Sequence, residues 1–329
     1  MRILALQLKR IGDLVLTTPA LRALHQAWPD AHIALGVMDG TAPLLAAIPF
    51  VQSGIVFGRG RGWTPWQQVL TGGWDACFDF TGNDRSALAT VLSRARKCVG
   101  FEWVRRNRLR SLAYNAWSPS KVRDVHTARH YLDLVAAVAP AGAGDLLPEL
   151  SLPEASSPAP KPAPYALLHP GTARPEKYWL PERWAEVAAH LQTVHHLPTI
   201  FTCGPDDFER AHLAAIASAE GSEKSEVRHP PDLMSLATLV AGARIVISCD
   251  TGVVHLASAF RIPQIALFGP TNPFHWRPMH ARAVVFSAAQ PEAPLTKFEP
   301  RLKGAPMEHL STGAVIRATD SLLALPRPT

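Results

Sequence analysis

Asp250, Thr251, Gly252 and His255 stand together at a break in pattern. The apolar, β-branched run Ile245 to Cys249 reads as a buried parallel strand. It stops at Asp-Thr-Gly, and the apolar-periodic stretch Val254 to Phe260 reads as a helix. A strand that feeds a helix through a polar, glycine-containing turn makes an anion site. The first backbone N–H groups of the helix have no partner inside it, and its dipole is positive there. Asp250 and His255 add hydrogen-bonding groups at the same rim. The chemistry this predicts is the grip of a phosphorylated or nucleotide ligand. A lone histidine in an apolar helix is more often a packed interior residue than a functional one; its place one turn after Asp-Thr-Gly is what makes His255 a candidate.

Other strand ends carry similar residues. Lys9, Arg10, Ile11, Gly12 and Asp13 follow the first strand-like run and open the first helical stretch. A carboxylate there can take the proton of an attacking hydroxyl, so Asp13 is the candidate general base; helix capping alone would also account for it. In the loop from His169 to Trp179, Thr172 offers a hydroxyl and a backbone N–H to phosphate oxygens, and Lys177 a point charge. Cys203, Gly204, Pro205, Asp206 and Asp207 repeat the order of strand, glycine turn and helix. An acid at that edge of a nucleotide fold can accept ribose hydroxyls, which makes Asp207 a candidate, although capping explains Asp206 and Asp207 as well. Phe268 to Pro273 is a further strand end with a turn.

The elements that must position these residues alternate. In the first half, strands are expected at 2–8, 32–37, 54–57, 76–80 and 97–100. Helices are expected after the first strand (Ala20, Leu21, Ala23, Leu24, Ala27 and Trp28 at i, i+3, i+4, i+7 spacing), at 41–47, 64–71 and 84–92. In the second half, strands are expected at 165–168, 199–202, 245–249 and, as the last, 264–268, with helices at 181–191, 206–217, 232–241, 254–260 and 311–325. Such alternation means βαβ units and parallel sheets. The Pro/Ala/Ser-rich stretch 153–164 lacks a core pattern and reads as a linker between a domain at 1–152 and one at 165–329. The fold class is therefore α/β, with two Rossmann-like parallel-sheet domains expected to face each other across a cleft at the carboxyl ends of their strands.

Composition narrows the choice of partner. The chain has 329 residues, 47% of them hydrophobic and 18% charged, as in globular proteins. No apolar run is long enough to span a membrane, and an N-terminus that enters a strand at once, with Lys9 and Arg10 after it, has the wrong order for a secretory signal. The expected place is the cytoplasm, with peripheral contact at the inner face of the cytoplasmic membrane. Cys77, Cys98, Cys203 and Cys249 are widely separated and read as buried, reduced thiols rather than a zinc site or a disulfide frame. The net charge of +6 is uneven: from Arg85 to Arg129 there are eleven Lys or Arg and two acids, Glu102 and Asp124. A basic face implies an anionic partner. Nucleic acid is disfavoured, because Phe101, Trp103, Tyr114 and Trp117 are too loosely spaced for a stacking module. The glycines at 58, 60 and 62 do not match G-x-G-x-x-G, and neither a P-loop nor an Asp-x-Asp pair occurs, so dehydrogenase, P-loop and metal–diphosphate readings lose ground.

Four stretches carry a family resemblance: K-R-I-G-D-L-V-L-T-T-P-A-L-R-A-L from Lys9, H-P-G-T-A-R-P-E-K-Y-W-L-P-E-R-W from His169, S-C-D-T-G-V-V-H-L-A-S-A-F from Ser248 with L-F-G-P-T-N-P from Leu267, and, more weakly, F-D-F-T-G-N-D-R-S-A from Phe78. In order and over nearly the whole chain they resemble glycosyltransferase family 9, the ADP-heptose:lipopolysaccharide heptosyltransferases. The resemblance implies the GT-B architecture, a first domain that takes a lipid-linked saccharide, a second that takes a nucleotide sugar, a last helix that often returns to the first domain, and inverting transfer without a bound metal or other cofactor. Asp13 matches the catalytic base. Thr172, Lys177, Asp250, Thr251, Gly252 and His255 match positions that contact the nucleotide diphosphate-sugar, expected to be ADP-heptose, with Asp207 as the ribose contact. Lys9, Arg10 and Arg85 are the candidates for an anionic acceptor. The chain departs from the pattern at Gln7, where Lys or Arg is frequent, at Asp207, where Glu is usual, at Ala173, where a hydroxyl is frequent, and at Asn272, where Asp is common. A GT-B transferase with another nucleotide sugar and acceptor, and a non-catalytic nucleotide-sugar or nucleic-acid binder, are the alternatives.

Overall fold

Short β-branched runs separated by amphipathic stretches place the hydrophobic residues on both faces of two parallel sheets. The computed structural model describes residues 1–139, 144–153 and 163–326. The chain divides into two units, 1–153 and 154–329. The expected linker at 153–164 falls, apart from its ends, outside the described residues.

In the first unit the strands are β1 (Arg2–Gln7), β2 (His32–Met38), β3 (Ser53–Phe57), β4 (Ala76–Asp79), β5 (Lys97–Phe101) and β6 (Ala116–Ser118). The helices are α1 (Ile11–Ala27), α2 (Thr64–Thr71), α3 (Asp84–Ser93), the single turn α4 (Arg108–Ser111) and α5 (Thr127–Ala136). The sheet order is β3-β2-β1-β4-β5-β6 with parallel pairing throughout. Residues 41–47, expected as a helix, belong to a 3-10 helix over Asp39–Ala47 instead, with Pro43 inside it. Pro19 lies inside α1; the Thr18 hydroxyl donates to the Val15 carbonyl, supplying the bond that proline cannot.

The second unit repeats the plan. Its strands are β7 (Ala166–His169), β8 (Thr199–Thr202), β9 (Glu226–Arg228), β10 (Ile245–Cys249), β11 (Gln264–Phe268) and β12 (Ala283–Ser287), in the order β12-β11-β10-β7-β8-β9, again parallel. Its helices are α6 (Pro181–Thr193), α7 (Asp207–Ala217), α8 (Leu233–Gly242), α9 (Gly252–Ala259) and α10 (Thr312–Ala324). The strand expected to be last, β11, is followed by β12. The family resemblance returns the terminal helix to the first domain; here Ala314, Val315, Ala318 and Leu322 of α10 lie in the second unit's core with Trp179, Trp184 and Phe286. Among the described residues no helix is long and apolar enough to cross a membrane, and all four cysteines are buried and unpaired.

Both sheets have the doubly wound order, whose connections reverse direction at one point: between β1 and β4 in the first unit, and between β7 and β10 in the second. Ligands of open parallel sheets bind at the carboxyl ends of the strands that flank this point. The residues after β1 and β4, and those after β7 and β10, are therefore where chemistry is expected within each unit.

Candidate functional site

After β1 the chain enters α1 with Arg10 at the N-cap, and Asp13 falls in the first turn. Asp13 is not the cap. Its carboxylate accepts a 2.5 Å hydrogen bond from the hydroxyl of Tyr131 on α5. Burial, with the Asp13 carboxylate beside it, pushes the Tyr131 phenol well above its ordinary value, so it remains a donor. Lys9 sits with its ammonium 5.6 Å above the Tyr131 ring. Below, the Gln7 amide donates to Thr17, whose hydroxyl donates to the Asp13 carbonyl. His130, next to Tyr131, stacks on Phe101 at 3.8 Å between ring centroids; burial, and then the charge of Lys9, lower its pKa to about 3, so it is a neutral ring at physiological pH. Structure thus brings Lys9 and Asp13 together around Tyr131.

Arg10 is exposed beside them, and Arg85 is exposed on the first turn of α3, where its guanidinium meets Met38 Sδ at 3.3 Å. The turn before α3 is built on Asp79. Its buried carboxylate accepts from Thr81 N, Gly82 N and the Tyr114 hydroxyl, and burial raises its pKa against the pull of those bonds. Gly82 has φ of 72°, and a Cβ there would come within 2.8 Å of the Trp103 ring, so glycine is required on both counts.

In the second unit, the loop after β7 and the turn after β10 meet. Lys177 Nζ lies 2.6 Å from Asp250 Oδ2, with both side chains about nine-tenths buried (11% and 10% exposed). Thr251 is the N-cap of α9; its hydroxyl accepts from Val253 N and lies 3.2 Å from the Ser248 hydroxyl. Gly252 opens the helix and His255 is buried one turn along. Thr172 is buried in the β7 loop, with Arg174 N donating to its hydroxyl at 3.4 Å. Lys177, Asp250, Thr251, Gly252 and His255 thus gather at one strand edge, with Thr172 on the adjoining loop. Lys177 is not a lone cation awaiting an anion: it is already paired.

Asp207 stands apart. It is exposed as the first residue of α7, while Asp206 caps that helix by accepting from Phe208 N. The buried acid of this segment is Glu209, overlooked in the sequence, whose carboxylate accepts from Gly204 N at 2.7 Å. Burial raises its pKa despite that bond. A Cβ on Gly171 would fall 2.3 Å from Glu209 Oε2 and 3.0 Å from the Cys203 backbone. The two glycine turns after β7 and β8 are thus clasped on one carboxylate. Tyr178 stacks on His212 of α7 at 4.2 Å and nearly parallel. It also lines a cavity of about 500 Å³ with Pro175, Glu176, Pro270, Gly304 and Glu308.

Tyr131 and His130 were the other omissions. The spacing of Ala128, Tyr131, Leu132 and Val135 on α5 is a helical signal, but it is interrupted by Arg129, His130 and Asp133. Among the described residues, the groups able to hold a metal number one: His190, His195 and Asp320. Both imidazoles reach the same carboxylate oxygen, at 2.7 and 2.6 Å. His190 lies near the end of α6 and His195 just ahead of β8, so this group sits toward the amino ends of the strands, away from Lys177 and Asp250.

Residues 63–305 match the model of glycosyltransferase family 9 (heptosyltransferase). A lipopolysaccharide heptosyltransferase 1 from Pseudomonas aeruginosa is 29% identical over 295 residues, covering 83% of this chain and 80% of that protein. Among solved structures, a family 9 glycosyltransferase from Veillonella parvula aligns with TM-score 0.79 and 23% identity, over 98% of this chain and 97% of that one. The Escherichia coli ADP-heptose lipopolysaccharide heptosyltransferase II aligns with TM-score 0.78 and 20% identity, over 98% of each chain. The structural likenesses establish the shared fold; the family match, which spans most of the chain, places it among sugar-transferring enzymes. The chain belongs to glycosyltransferase family 9, the heptosyltransferase family.

Proposed function

We propose that this enzyme moves a heptose from ADP-heptose to a hydroxyl of a lipopolysaccharide-core acceptor, with inversion and without a metal ion. Asp13 is the base: Tyr131 occupies one of its oxygens and orients the carboxylate, which leaves the other to accept the proton of the acceptor hydroxyl as that oxygen attacks the anomeric carbon. The bond from that carbon to the diphosphate breaks, and negative charge grows on the leaving group. Lys177, Thr172 and the N–H groups of the first turn of α9 meet that charge, a role that otherwise falls to a divalent cation. Asp250 holds the Lys177 ammonium in place, and His255 lies one turn further along the same helix. Glu209, rather than the exposed Asp207, is the better-placed ribose acceptor at the Gly204 turn. Lys9, Arg10 and Arg85 face an anionic acceptor. The name of the E. coli neighbour, an ADP-heptose lipopolysaccharide heptosyltransferase, supports the choice of donor and acceptor.

The observation that carries the reading is the Tyr131-held Asp13 at the point where the first sheet reverses. Asp13→Ala is expected to lose turnover by several orders of magnitude, while calorimetric ADP binding stays as in the wild type. A variant that keeps near-wild-type turnover excludes the base assignment. In the same calorimeter, ADP should bind more tightly than UDP or GDP; a preference for UDP counts against ADP-heptose.

A further inference from the structure

The segment after β5 presents an apolar and basic face that neither the core nor the reaction uses. Leu109 and Leu112 are 82% and 80% exposed, and Trp103 is 38% exposed. Arg105, Arg106 and Arg108 are exposed among them. The face is held firmly: Val104, Ala113 and Tyr114 are buried in a small core with Ala87. Arg105 lies over the Trp117 ring, and Arg110 pairs with Asp84 at 2.5 Å. Among the described residues Arg106 and Arg108 pair with no carboxylate. Leucines held outward by a buried frame cost free energy in water, so they need an apolar medium. Arginines around them select an anionic one, and the combination is that of an interfacial membrane anchor rather than of a nucleic-acid site.

Position ties this face to Asp13. β5 runs parallel to β1, so the segment leaves the sheet at the same edge as Asp13. An unbroken line of contacts joins them. Tyr131 bonds Asp13, His130 lies beside Tyr131 with ring centroids 5.9 Å apart, Phe101 stacks on His130, and Trp103 stacks on Phe101 at 6.5 Å.

We infer that the face formed by Trp103, Arg106, Arg108, Leu109 and Leu112 docks the first unit on an anionic lipid surface, with the leucines entering the acyl boundary and the arginines meeting lipid phosphates. Its purpose, though not its existence, rests on the reading of a lipid-linked acceptor: a membrane-held saccharide would then be offered at the edge that carries Asp13.

The test is co-sedimentation of the full chain with vesicles of phosphatidylcholine containing about one-third phosphatidylglycerol, against phosphatidylcholine alone. Binding should favour the anionic vesicles and weaken with salt, by about fivefold for each of Arg106→Gln and Arg108→Gln. Leu109→Ser with Leu112→Ser should weaken it by about tenfold or more. ADP binding, which reads the fold of these variants, should not change, nor should transfer to a delipidated, water-soluble saccharide. Absence of binding to anionic vesicles, equal binding by the serine variant, or a wild-type dimer that the serine variant breaks would each overturn the proposal. Vesicle binding without sugar transfer would leave the docking face standing and sink the transferase reading instead; transfer without vesicle binding would do the reverse.

Discussion

The Tyr131 hydroxyl and the Asp13 carboxylate stand 2.5 Å apart although 118 positions separate them in the chain. A hydrogen bond to a charged acceptor contributes about 1.5–3 kcal/mol, and its geometry fixes which carboxylate oxygen remains for the substrate. Tyr131→Phe should therefore lower kcat by roughly tenfold to a hundredfold. The KM for the nucleotide sugar should not move, since the groups proposed to hold the donor belong to the other unit. Steady-state kinetics at saturating donor decides it: an unchanged kcat would reduce Tyr131 to packing.

Lys177 and Asp250 predict a different pattern. Removing the lysine alone leaves a carboxylate nine-tenths buried without its partner, which costs about 3–5 kcal/mol. Lys177→Met should thus unfold at lower urea and also lose ADP affinity by about tenfold or more. Adding Asp250→Asn removes the stranded charge, so the double variant should regain most of the stability and none of the affinity. Urea unfolding beside ADP calorimetry separates the two. Affinity that returns with stability would mean that Lys177 serves the fold only.

The contrast between those pairs shows what a sequence discloses. The places of Asp13, Thr251 and Gly252 at helix starts were legible because strand, turn and helix start are local features, and each lies where a β-branched run gives way to a helical period. The pairings across the fold were not. Tyr131 and Asp250 reach Asp13 and Lys177 only because the doubly wound order brings separate strand ends together, and no local pattern encodes that distance. Edge strands were lost for another reason: β6 and β9 are three residues long, and β9 is wholly exposed, so neither shows a buried apolar run. Glu209 was overlooked beside Asp207, which lies nearer the glycine turn; two residues further along α7, about 200° round the helix, its side chain turns inward to Gly204 N.

Glu209 links two turns whose glycines, Gly171 and Gly204, leave room for its carboxylate. Gly171→Ala would drive its Cβ into the Glu209 carboxylate and against the Cys203 backbone. Glu209→Ala would leave Gly204 N without its acceptor. Both should weaken ADP binding by about tenfold, the cost of losing one charge-assisted bond. Asp207→Ala, at an exposed position, should leave it unchanged. A calorimetric series in which Asp207→Ala is the damaging change would restore Asp207 as the ribose contact.

Three buried histidines make the fold sensitive to mild acid. Burial lowers His130 to about 3, and His169 and His280 to about 4. Each is kept neutral in the fold, while the unfolded chain takes up its proton near the ordinary value of 6.5. The unfolded state then binds more protons, so stability is full above that value. It falls by about 1.4 kcal/mol per histidine for each pH unit below it, until the lowered value is reached. His169 and His280 both lie in the second unit, which should lose about 3 kcal/mol between pH 6 and pH 5, and the first unit about half as much. Asp79 and Glu209, raised by burial, release protons more readily when unfolded and so oppose the trend. The raw slope is therefore a weaker test than its change on substitution. His169→Asn keeps a polar partner near Thr202 but does not titrate, and its urea midpoint should fall less steeply from about pH 7 to about pH 5 than that of the wild type. Equal slopes would mean that His169 is protonated in the folded protein.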